Sequence, residues 1–323
     1  MGLVFALYFL INTEDSAQLS ESLAIGVQES SDGSLYYFDR QELAYFKKTT
    51  QGEDLVFELG YEPYSMIYSP ERDKVLAIGS TKYPGQAIDL IDLVTKKKKT
   101  LDLRIINAAF SPDGSQVAYH FYDPKLGESA IYVSDANFTE SYKSFVVSLD
   151  YAENLFYILR WHEIENLYLL PMQSDDYNVE LLRINLAQKK LETVANGTFL
   201  DFLPTNDSNK LLIHGSSNNS NESQENSGHA LSVFNLKTKR TVKTNLIVDS
   251  LTNISFSKND SLIYVIGTQN EKFGLHSLDL NGKTAFVKDI DTKIKGYILE
   301  VVYNAKLKSL FISTESDFIQ ISL

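Results

Sequence analysis

The sequence predicts an all-β chain folded as a single β-propeller of four-stranded blades, seven in number, with six or eight as alternatives. Three observations carry this. Helical periodicity is almost absent along 323 residues, while 19 Tyr and 18 Phe enrich the chain in strand formers. A strand–turn–strand–loop–strand unit recurs seven times at intervals of roughly 40 to 50 residues, the period of a propeller blade. A parallel β-helix would repeat faster, and immunoglobulin-like modules would repeat about every 100 residues.

The clearest unit runs from Asn107 to Asp135. Ala108, Ala109 and Phe110 form an apolar inner strand. Pro112 presets φ for a turn, and Asp113-Gly114 tolerates left-handed geometry. Val117, Ala118, Tyr119 and Phe121 suit a half-buried second strand, which Asp123-Pro124 ends because proline lacks the ladder donor. Ala130 to Val133 form a third strand, and Lys143 to Ser148 a fourth. One such sheet leaves its faces uncovered and requires copies on either side.

The other repeats follow in order. The first places its inner strand after Leu23 and its turn at Ser30-Ser31-Asp32-Gly33. The second has Met66 to Tyr68, then Ser69-Pro70. The fourth is the most divergent, with Leu155 to Trp161 followed by His162-Glu163-Ile164-Glu165 in place of the turn. The fifth has Leu200 to Leu203 and Pro204-Thr205-Asn206-Asp207; the sixth has Ile254 to Phe256 and Ser257 to Ser261, with a hairpin turn at Asn281-Gly282. The seventh ends one strand short. Residues 216–228, SSNNSNESQENSG, read as a disordered insertion.

Residues 1–20 form a separate segment and 21–323 the propeller. Residues 2–11, GLVFALYFLI, are apolar and uncharged, but a span needs about 20 residues. They lack the basic region and cleavage site of a signal peptide. The outer half of an anchor helix beginning upstream, a strand completing the last sheet and an irregular arm all fit. The anchored reading places the propeller outside the cytoplasm, in the cell envelope, with a membrane association through this segment.

The net charge of -12 argues against nucleic-acid binding, which needs a basic footprint. The absence of cysteine excludes disulfides, thiolate nucleophiles and cysteine-ligated metals.

Phe110-Ser111-Pro112-Asp113-Gly114 with Val117-Ala118-Tyr119, echoed by Tyr68-Ser69-Pro70 and Phe256-Ser257, resembles the repeats of TolB-type propellers. The propeller domains of prolyl oligopeptidase and dipeptidyl peptidase IV are similar. The resemblance covers nearly everything after Leu19 and implies the fold. It spans periplasmic scaffolds, peptidase domains and membrane-anchored sensors, and it carries no functional residue over to this chain.

Signatures of chemistry are few. No G-x-S-x-G occurs, nor a phosphate-binding glycine motif. His162-Glu163 starts like a zinc motif, but Asn166 stands where the second His belongs. The five His, at 120, 162, 214, 229 and 276, read as packed or solvated. No catalytic residue, metal or cofactor is expected, and the chain is expected not to be an enzyme. Lysines at 47–48, 96–99, 189–190, 237 and 239, with Arg240, gather in third-to-fourth-strand turns, as solvated hairpin residues or as a patch for an anionic membrane or wall polymer.

In a propeller, loops joining the fourth strand to the next blade and the second strand to the third share one face, and these carry Tyr61, Tyr64, Tyr83, Tyr122, Tyr151 and Tyr177. Tyrosine offers large, stiff contact area with a polar tip. The expected function is a monomeric scaffold binding a protein or peptide partner on that face. The alternatives are a propeller enzyme of lactonase, glycosidase or cyclase class with channel carboxylates, and a polysaccharide-binding module.

Overall fold

A computed structural model describes residues 24–29, 34–40, 42–49, 52–70, 73–80, 86–102, 105–123, 128–139, 141–146, 156–172, 179–205, 207–217, 230–257, 262–290, 294, 296–306, 308–314 and 318–323. The apolar run 2–11 and most of the polar insertion, 218–229, lie outside these residues.

Alternating Tyr, Phe, Val and Ile make the described chain almost entirely strand. A first sheet orders β1 (Ala24–Glu29), β2 (Leu35–Asp39), β3 (Ala44–Thr49) and β4 (Gly52–Glu58) side by side. A second orders β5 (Pro63–Tyr68), β6 (Lys74–Ser80), β7 (Gln86–Asp92) and β8 (Lys97–Thr100). A third orders β9 (Ile105–Phe110), β10 (Gln116–Asp123), β11 (Glu128–Asp135) and β12 (Ser141–Val146). The described pairings are antiparallel.

The fourth and fifth repeats depart from separate four-stranded sheets. β13 (Phe156–Trp161), β14 (Asn166–Met172) and β15 (Val179–Asn185) lead into β16 (Lys190–Pro204), a strand of 15 residues. Its first part pairs with β15 and its second with β17 (Lys210–Ser217). It is at once the last strand of one repeat and the first of the next. No proline interrupts residues 190–203, and the turn-forming pair Asn196-Gly197 is held in strand pairing; register shifts at Leu181/Leu182 and Phe199/Asp201 bend the ribbon instead. β18 (Ala230–Asn235) and β19 (Arg240–Ile247) complete the fifth repeat. The sixth holds β20 (Ile254–Phe256), β21 (Ile263–Gln269), β22 (Lys272–Leu278) and β23 (Thr284–Lys288). The last sheet has three strands, β24 (Ile298–Asn304), β25 (Ser309–Thr314) and β26 (Phe318–Ser322).

The chain divides into two compact units. One takes the described residues through Asp102 with 252–278 and 285–323; the other takes 103–251 with 279–284. The first has a core of Phe38, Tyr45, Val75, Ala77 and Ile91, and another of Ile266, Leu275, Leu310 and Ile312. The second packs Tyr157, Leu159, Trp161, Leu167 and Leu169 in one cluster, and Tyr168, Phe202, Leu211 and Phe234 in another.

Two polar devices recur at the hairpins. Between first and second strands, a residue's N–H donates to a carbonyl five residues on: Ser69 to Lys74, Ser111 to Gln116, Thr205 to Lys210 and Ser257 to Leu262. The serine hydroxyls return the favour by accepting the N–H of Lys74, Gln116 and Leu262. In the fourth repeat the bond runs from His162 N–H to Asn166 O, one residue shorter, and Glu163 adopts φ +61°. That shortening is why this repeat lacks the Ser-Pro-Asp-Gly pattern. Between third and fourth strands, side chains of Asp92, Asp135, Asn185, Asn235 and Asp279 accept backbone N–H groups of the turn. Lys96, Lys189 and Lys239 take the left-handed positions of three such turns, at φ +56°, +53° and +57°.

Candidate functional site

The loop from β4 to β5 brings Tyr61 and Tyr64 to the start of an inner strand of the first unit. The two tyrosines behave differently. Tyr61 folds onto Gly79, where a β-carbon would lie 2.5 Å from its ring, and its hydroxyl donates to Ala77 O at 3.4 Å. Burial, with the neighbouring Asp89 carboxylate, pushes its hydroxyl well above the ordinary tyrosine range. Asp89 is itself buried, accepts from Thr100 Oγ1 at 2.6 Å and faces Lys98 Nζ at 3.5 Å. Tyr61 is therefore partly a packing residue. Tyr64 is 45% exposed. Between them Glu62 pairs with Arg40.

Tyr122 lies in β10 opposite Ser129, but its side chain is outside the described residues, as are Tyr83, Tyr151 and Tyr177 altogether.

Sequence reasoning passed over Tyr297, which is 69% exposed just before β24. A signal existed. Gly60-Tyr61 and Gly296-Tyr297 are the same dipeptide ahead of an inner strand, and both glycines have left-handed φ, +80° and +83°. The glycine lets the chain turn into the strand without the steric cost of a β-carbon.

The histidines are structural in placement. His120, His162, His214 and His276 are buried, and His229 lies outside the described residues. Among the described residues no group of three or more His, Asp or Glu is placed to hold a metal ion. The hairpin lysines are tied to local partners: Lys98 lies over the Phe57 ring, Lys96 Nζ donates to Leu55 O, and Lys190 sits 3.8 Å from Glu192. Among the described residues no helix is long and apolar enough to cross a membrane.

No family model matches the chain, and no curated protein matches it in sequence. Solved structures do match. Prolyl oligopeptidase B from Galerina marginata superposes with a TM-score of 0.67 at 11% identity, over 93% of this chain and 48% of that one. An oligogalacturonate lyase in complex with manganese gives 0.58 at 14% identity, over 82% and 77%. TolB from Acinetobacter baumannii gives 0.50 at 15% identity; the match covers 79% of this chain and 59% of TolB. The fold is that of the TolB-type and peptidase β-propellers, as the Ser-Pro-Asp-Gly repeats implied.

One expectation is overturned. The chain was expected not to be an enzyme, because it lacks a hydrolase half and known motifs. Solved structures of this fold include an oligogalacturonate lyase, an enzyme, so the missing hydrolase half and motifs do not exclude enzymatic activity.

Proposed function

We propose that the protein is a seven-bladed β-propeller that binds a protein or peptide partner through one face, formed by the loops between blades and those between second and third strands, bearing Tyr61, Tyr64, Tyr83, Tyr122, Tyr151 and Tyr177, with Tyr297 added. The observation that supports this most is the solvent exposure of Tyr64 and Tyr297, 45% and 69%, where most tyrosines of the described chain are packed. Each of the two precedes or opens an inner strand of the same unit, β24 and β5. A rigid strand end holds the ring in place, so little side-chain entropy is lost on contact.

The test is site-specific photo-crosslinking in native extract. A photoreactive phenylalanine analogue at position 64 or 297 should capture one common partner. The same group at Val94, which is 70% exposed on a third-to-fourth-strand turn, should not. Equal capture from all three positions would sink the reading. A second reading, favoured by the likeness to oligogalacturonate lyase, is a lyase-type activity. Release of unsaturated uronide from oligogalacturonate, with manganese supplied, would establish it.

A further inference from the structure

In the second unit, β9, β13 and the second half of β16 lie in sequence as neighbouring first strands. Among their half-exposed polar residues are Asn107, Arg160 and Asp201. Asn107 is fully engaged. Its Nδ2 donates to Tyr157 O at 2.9 Å and its Oδ1 accepts the N–H of Ala108 at 2.8 Å.

Arg160 and Asp201 are not. Arg160 Nε donates to Phe202 O at a long 3.5 Å, and Asp201 Oδ1 accepts the N–H of Phe202 at 2.7 Å. The two charges face each other with Nη2 and Oδ2 3.6 Å apart, beyond hydrogen-bond length. Both side chains remain open, at 37% and 26% of their surface. Burial nevertheless raises the Asp201 carboxyl above its ordinary value, against the pull of Arg160 and of the Phe202 N–H. The carboxyl is thus packed against protein on one side and reached by solvent on the other.

The backbone is shaped to place Asp201 there. Phe199 pairs with Gly215 and Asp201 with His214, which leaves Leu200 as an extra residue in the strand. Such a bulge shifts the alternation, so residues beyond it face the other way from an unbulged strand. Gly215 accommodates the bulge at φ +121°, with Thr198 O only 2.2 Å from where a β-carbon would stand.

We propose that Arg160 and Asp201 form a binding site for a small zwitterion of the α-amino-acid class, with the ligand carboxylate on the guanidinium and its ammonium on the Asp201 carboxylate. The pair has no net charge, so a ligand of one sign gains at one residue what it loses at the other. A zwitterion complements both. By covalent dimensions its ammonium nitrogen and nearest carboxylate oxygen are roughly 3 Å apart, close to the spacing of the pair. The planar guanidinium fork has donors to spare for a two-pronged carboxylate contact.

The test uses the full chain and the 20 free L-amino acids in a thermal-shift screen, followed by equilibrium dialysis of any hit. At least one amino acid should raise the melting temperature by several degrees at millimolar concentration. Its N-acetyl and carboxamide forms, each missing one charge, should bind at least tenfold more weakly. Galacturonate, a carboxylate without an ammonium, should also bind more weakly. Arg160→Gln and Asp201→Asn should each weaken the hit by the same tenfold or more, with Arg160→Lys intermediate. The proposal is overturned if no amino acid shifts the melting temperature, if a capped ligand or galacturonate binds as tightly as the hit, or if folded R160Q and D201N bind as the parent does. Should a variant fail to fold, the ligand series decides alone.

Discussion

His120 and His214 sit on the second strands of the third and fifth repeats, β10 and β17, at the same depth: 0% and 3% exposed. Their surroundings differ. His214 Nε2 lies 3.0 Å from the carbonyl oxygen of Val248. Neither ring nitrogen of His120 has a hydrogen-bond partner among the described residues. Its ring meets Tyr157 edge-on at 5.5 Å, and the Tyr157 hydroxyl is orphaned as well. Burial holds His120 neutral, down to about pH 4. Depth alone therefore does not decide what a buried histidine does for the fold. One carbonyl at the right place turns a cost into a contribution.

Four substitutions would break or sharpen that contrast. The largest effect belongs to Gly215→Ala, beside His214. Its φ of +121° and the 2.2 Å approach to Thr198 O leave no room for a methyl group, and we expect a loss of about 3 kcal/mol or more in urea unfolding. A loss under about 1 kcal/mol would show that the bulge can relax.

Next is the acid response of His120. Its folded pKa of about 4 lies below the ordinary 6.5, so the unfolded state binds the proton more readily. Its contribution is whole above pH 6.5, declines as pH falls towards 4, and is lost below that. The full swing is about 3 kcal/mol. His120→Phe should flatten this part of the stability–pH curve, and an unchanged slope would remove His120 as its source. At neutral pH the two histidines should give opposite signs. His214→Phe costs about 2 kcal/mol by orphaning Val248 O, whereas His120→Phe stabilises by about 1 kcal/mol. Smallest is Ser111→Ala, about 1 kcal/mol through the lost cap on the Gln116 N–H. Thermal unfolding would register it as a shift of a few degrees.

Turn chemistry made the repeats legible in the sequence. Ser-Pro-Asp-Gly at 111–114 forms the turn its residues require, and the serine and aspartate bond within it: Ser111, then Ser115, holds the Asp113 carboxyl below its usual value. Two features were not legible. The fourth-repeat turn closes over one residue fewer, which erases the motif while keeping the backbone bond. The fusion of fourth and fifth repeats through β16 has no residue signature, because Asn196-Gly197 reads as a turn yet both residues pair with β15, and Gly197 with β17 as well. At the candidate site, Tyr61 and Tyr64 look alike in sequence. What separates them is a glycine and an aspartate, Gly79 and Asp89, from strands beyond the loop. Tyr297 was readable from the repeated Gly-Tyr pair but carries no strand-pattern signal of its own.

The length of β16 also bears on how the chain comes apart. In a repeat array each unit can fray from its neighbour at the loop between them. Across residues 190–204 there is no such loop: the backbone that ends one repeat is hydrogen-bonded into the next without a break. Amide protons of β15, β16 and β17 should exchange together, as one cooperative block spanning two repeats. A protease has no exposed joint there to nick, and a chain shortened at this point would leave half a strand without its ladder.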